Sequence, residues 1–101
     1  MQRLVTQGLS LEAIAHERGR QLSTVTGTIA VMIEAGEVEY REEWVAPARR
    51  AQIEEVCGRL GTQWLKPIKA ALPEEFTFEE IRLVVAKLRR EAALKAGREA
   101  G

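Results

Sequence analysis

Four hydroxyl side chains, Ser23, Thr24, Thr26 and Thr28, with Gly27 among them, open a segment of helical apolar spacing, "STVTGTIAVMIEAG". Hydroxyls on the first turns of a helix bind phosphate oxygens, and a threonine methyl touches a thymine methyl, so these residues are candidates for contact with DNA. From Ser23 to Ala35 there is no Lys, Arg, Asn or Gln. Such a helix lacks the bidentate donors that read guanine or adenine, contacts that each give about 1–3 kcal/mol of discrimination. Sequence-specific reading by this helix alone is therefore not expected.

The same helix has a second candidate use. Gly27, Ala30 and Val31 form a small face that lets another backbone approach closely, whether a helix of the same domain, a second copy in a homodimer, or a neighbouring domain. Arg82 and Arg89 lie seven residues apart in the last helical pattern and point nearly the same way, with Lys66 and Lys69 on the segment before it. Lys87, Arg90, Lys95 and Arg98 fall on other sides or in the tail. Arg82 and Arg89 are candidates for tracking phosphates, with binding that weakens as salt rises. The plainer reading is a solvated face whose basic end complements the helix dipole.

The rings of Trp44, Trp64 and Tyr40 suit stacking on unpaired bases, but at element boundaries they are expected to close the core instead. His16 is the single histidine and has no companions for a metal site or a triad. Cys57 falls in an apolar stripe and reads as an inert thiol. The sequence has no phosphate-binding glycine loop, no paired catalytic acids and no metal-ligand spacing. Neither catalysis nor a metal or other cofactor is expected of this chain.

These side chains must be positioned by helices. With 101 residues the chain suffices for one domain, and its abundance of Ala, Leu, Glu and Arg favours an all-α class. The net charge is zero but unevenly placed: residues 1–80 hold nine Lys and Arg against thirteen Glu, and residues 81–101 hold six against two. A phosphate-binding surface is thus expected near the C-terminal end. One cysteine excludes an internal disulfide framework, and no apolar run reaches the ~20 residues of a membrane span. A soluble, cytoplasmic chain with no membrane partner is the expectation.

Gln2–Gln7 has only Leu4 and Val5 to bury, a short first helix that suits a piece of a longer protein. Ser10 is a cap, Leu9 and Ile14 a hydrophobic staple, and Leu11–Arg18 a helix with Leu11, Ile14 and Ala15 inside and Gly19 at its end. Ser23 or a neighbour caps the next helix, which runs to about Ala35 and turns Val25, Ile29, Met32 and Ile33 to the core, within about 100° of arc. "GEVEYREEWV" is read as a connector with a helical turn at Trp44, or one very short strand forming a wing. Pro47–Leu60 is a third helix with Ala48 or Ala51, Ile53, Val56, Cys57 and Leu60 inside and Arg49, Arg50, Glu54 and Arg59 solvated. A short helix follows between Pro67 and Pro73. The last helix starts at a capping box of Thr77 and Glu80 with a staple of Phe76 and Ile81, and buries Ile81, Val84, Val85 and Leu88. The domain is expected to span residues 1–93, with residues 94–101 a frayed tail.

The order "GLSLEAIAHERG", "STVTGTIAVMIEAGEVE", "LGTQWLKPIKAALPEEFTFEEIRLVVAKLR" resembles the helix-turn-helix domain at the C-terminus of bacterial RecQ-family DNA helicases and related proteins, over roughly residues 4–90. The most specific part is "LKPIKAALPEE" followed by "EEIRLVVA". The resemblance implies a non-catalytic accessory domain with weak, mainly non-specific DNA contacts, in a repair protein whose ATP hydrolysis lies in other domains. Ile14, Ala15 and Gly19, then Thr24, Val25 and Ile29, match scaffold positions. The sequence departs from the pattern at "TGT", residues 26–28, where the resemblance leads one to expect a His or a charged residue near Thr28. Residues 1–93 are thus expected to be an N-terminal helix-turn-helix extended by a C-terminal helical pair, about five helices in all. The alternative is a protein-interaction or dimerisation module on the same scaffold.

Overall fold

The structure, a computed structural model, describes residues 10–100. The short helix expected over Gln2–Gln7 and the Leu9 half of the first staple lie outside the described residues. Five α-helices and one 3-10 turn follow, with no strand among the described residues, so "GEVEYREEWV" is a connector and not a wing.

Ser10 caps α1 (Leu11–Arg18), its hydroxyl accepting the Ala13 N–H at 3.1 Å. Gly19 ends the helix at φ +61°, where its N–H and that of Arg20 reach the carbonyls of His16 and Ala15. Only glycine takes that backbone without strain, which is why the turn into the next helix can be so short. α2 (Leu22–Ala35) starts one residue ahead of the expected Ser23 cap, with Gln21 in the cap position and no side chain bonded there. The connector buries Val38 and Val45 and contains the 3-10 turn Glu42–Trp44.

α3 (Pro47–Leu60) begins at its proline and buries Ile53, Val56 and Cys57. Leu60, expected inside, is 51% exposed, and Ala48 and Ala51 are exposed as well. The face expected to be solvated is instead largely an ionic seam. Arg49 donates twice to Glu80 at 2.9 Å and lies 4.8 Å from the Phe76 ring centre; Arg50 pairs with Glu42 and Glu54. Glu54 also takes Lys87 at 3.1 Å. Spacing along one helix marks a polar face but cannot show that a second helix brings opposite charges to it.

α4 (Leu65–Ala71) buries Ile68, and α5 (Phe78–Ala100) opens on the expected capping box: the Glu80 N–H donates to the Thr77 hydroxyl and the Thr77 N–H to Glu80. Phe76 and Ile81 are both buried beside it, as a staple requires. α5 continues through the segment expected to fray, and residues 91–97 are exposed.

α5 is the centre of the fold. Ile81, Val84 and Val85 are buried as expected, Leu88 is half-buried, and Leu83 and Ala86 are buried too. α2, α3 and α4 all pack on it, so no single stripe describes its inner surface. Along α2, Gly27 lies against Arg82, Glu34 against Arg89 and Gly36 against Arg90. The offset between partners is constant to within one residue, so α2 and α5 run side by side in the same sense.

Candidate nucleic-acid interface

The packing of α5 on α2 decides which hydroxyls reach solvent. Val25, Thr26, Ile29, Ala30 and Ile33 are buried and Met32 half-buried, which widens the inner arc of α2 from about 100° to about 160°. Thr26 is fully buried, and its hydroxyl has no hydrogen-bond partner. It cannot touch DNA, contrary to expectation, because two helices rather than one cover α2. Ser23, Thr24 and Thr28 are exposed. Thr24, Thr28 and Val31 share the outermost face, with the Thr28 hydroxyl donating to the Thr24 carbonyl at 3.1 Å.

The small face is mostly consumed within the chain. Ala30 is 3% exposed, and a Cβ placed on Gly27 would sit 3.0 Å from an Arg82 guanidinium nitrogen. Of the expected docking residues Gly27, Ala30 and Val31, only Val31 stands well clear, at 66% exposed. The close approach that small residues permit is made by α5 of the same domain.

Arg82 and Arg89 share a face of α5 but have different neighbours. Arg89 is clasped: its Nε donates to the Thr62 carbonyl at 3.0 Å, and its guanidinium also reaches the Gln63 carbonyl and Glu34. It ties the α3–α4 loop to α2, so its donors are engaged within the chain, where the sequence led one to expect a free cation. Arg82 is exposed, crosses Gly27 and has no carboxylate partner among the described residues. A groove lined by Gly27, Val31, Leu65, Arg82 and Arg89 joins them.

Arg18, Arg20 and Gln21 were not singled out in the sequence, yet all three are exposed, Arg18 as the last residue of α1 and Arg20 and Gln21 in the turn that leads into α2. The signal was their position: cations just ahead of a helix N-terminus lie where a phosphate would also meet unsatisfied N–H groups. Trp64 also departs from expectation. It is 68% exposed, whereas Tyr40 and Trp44 are half-buried and meet edge to face at 6.0 Å.

A profile of the helix-turn-helix domain matches residues 2–85. The chain belongs to that family. No curated protein and no solved structure matches it. Within that range, α1, the tight turn at Gly19 and α2 have the form of a helix-turn-helix, and in DNA-reading examples of that motif the second helix lies in the major groove.

Among the described residues, no three His, Cys or acidic side chains gather as metal ligands, and no helix is long and apolar enough to cross a membrane. His16 is exposed. Cys57 is buried, and burial, with the nearby Glu54 carboxylate, pushes its thiol pKa up, so the reactive thiolate is disfavoured.

Proposed function

We propose that this domain makes non-catalytic, mainly sequence-independent contact with DNA, and that it does so as an accessory module of a RecQ-like ATP-dependent helicase. The observation that carries the contact is Arg82. Its guanidinium crosses Gly27 at the border of the face holding Thr24 and Thr28, so α5 supplies the cation that α2 lacks. Arg18 and Arg20 are exposed shortly before α2 begins and add positive charge there. Phosphates engage such a surface without base reading, because contacts to phosphate oxygens are the same whatever base pair they flank.

The helicase assignment is supported by the resemblance of "LKPIKAALPEE" and "EEIRLVVA" to the RecQ-associated domain. In that role ATP hydrolysis belongs to other domains and this one adds affinity. A docking role for α2 is less favoured, since α5 already covers Ala30 and approaches Gly27.

The test is fluorescence anisotropy of labelled duplexes of unrelated sequence, titrated from low to physiological salt. Arg82→Ala is expected to weaken all duplexes alike and to reduce the salt slope by about 1. A wild-type chain that binds no duplex at low salt, or one that strongly prefers one sequence, overturns the reading.

A further inference from the structure

The deliberate exposure of two large rings needs a cause. Trp64 is 68% and Phe78 46% exposed, and with Leu65, Lys66 and Pro67 they line a shallow, largely apolar cleft of about 590 Å³. Rings of this size ordinarily close a core or an interface, and a contiguous exposed pair marks a contact surface. We propose that Trp64 and Phe78 are a stacking platform for unpaired bases, taking a single strand as it leaves the duplex face.

Charge and continuity both point to a nucleic-acid strand. Lys66 is the one charged residue lining the cleft, and Lys69 holds its ammonium 5.9 Å from the Phe78 ring centre. Neither lysine has a carboxylate partner among the described residues. On α5, Phe78, Arg82 and Arg89 fall within about 40° of one another, so the ring and both arginines share a side of the helix. Leu65 lines both this cleft and the groove holding Gly27 and Arg82. One surface therefore runs from Thr24 and Thr28, past Arg82 and over Leu65, to Trp64. Rings flanked by cations, with no fixed array of donors, bind single strands with little regard to sequence.

This platform rests on the DNA-contact reading above, and the two are separable by experiment. The whole 101-residue chain is titrated against a blunt duplex, the same duplex with a single-stranded thymidine tail, and the tail alone. Wild type is expected to favour the tailed duplex. Trp64→Ala should lower tailed affinity at least about fivefold, leave blunt affinity within about twofold, and be largely rescued in Trp64→Phe, since a stacked base needs a ring and not an indole N–H. Phe78→Ala should act in the same direction. Trp64 lies on the surface, so circular dichroism of the variants should match wild type.

The platform is overturned if Trp64→Ala leaves tailed affinity unchanged, weakens blunt and tailed duplexes equally, or alters only self-association in sedimentation velocity. A chain that binds blunt duplex through Arg82 yet gains nothing from the tail retains the duplex reading and loses the platform. If the tail alone binds through Trp64 while Arg82→Ala has no effect on duplex, the platform stands and the duplex reading falls.

Discussion

The groove between α2 and α5 carries an arginine at each end, and the two have opposite fates. Arg89 is held by the carbonyls of Thr62 and Gln63 and by Glu34, whereas Arg82 lies over Gly27, where α2 has no side chain to hold it. They share residue type, helix and face. What separates them is what α2 presents two turns apart, a carboxylate at one end and an absent side chain at the other. A guanidinium whose donors are satisfied internally fixes structure, and one left open is available to phosphate.

That contrast is easiest to break at the clasped end. Arg89→Glu removes the loop bonds and sets a like charge beside Glu34, so thermal or urea unfolding should show a loss of about 2 kcal/mol. Arg82→Glu should leave unfolding nearly unchanged while duplex affinity at low salt falls about tenfold or more, read by anisotropy. If the two arginines exchange these phenotypes, the distinction between them is wrong.

Glu80 sharpens the same point at the clasp of Arg49. Burial raises its pKa, but hydrogen bonds from the Thr77 N–H, from Arg49 and from the Thr77 hydroxyl, with the charge of Arg49, prevail and hold it below its ordinary value of 4.5. Its folded pKa being depressed, Glu80 stabilises the fold above that value, and the contribution disappears as pH falls through the folded pKa. Glu80→Gln should cost about 1 kcal/mol at neutral pH in urea titrations, a gap that closes in acid. The smallest effect is expected at Thr26, whose buried hydroxyl is unpartnered. Thr26→Val should raise stability by up to about 1 kcal/mol without altering DNA affinity, whereas Thr28→Val, on the exposed face, should weaken binding slightly.

Local chemistry made much of the scaffold legible in sequence. The Ser10 cap, the stops at Gly19 and Gly36, and the Thr77–Glu80 box each depend on residues within one turn, and each is found where its spacing places it. Thr26, Leu83 and Ala86 escaped because periodicity assigns a helix one inner face, while α2 and α5 are covered from more than one direction. The fate of Arg89 was hidden for a related reason: its partners Thr62, Gln63 and Glu34 come from two distant segments. Trp64 shows the converse failure, since large apolar residues are expected inside and only the packed chain shows one left out.

The central position of α5 also bears on how the chain comes to be folded. Synthesis delivers α1 to α4 first, and until α5 follows, the inner sides of α2, α3 and α4 lack the helix on which they close. Contacts such as Gly27 with Arg82 span more than half the chain, so little of the core can be secured before translation has passed residue 90. A nascent chain halted near Pro73 would thus carry α1, the Gly19 turn and α2 and still expose its greasy faces to chaperones and proteases.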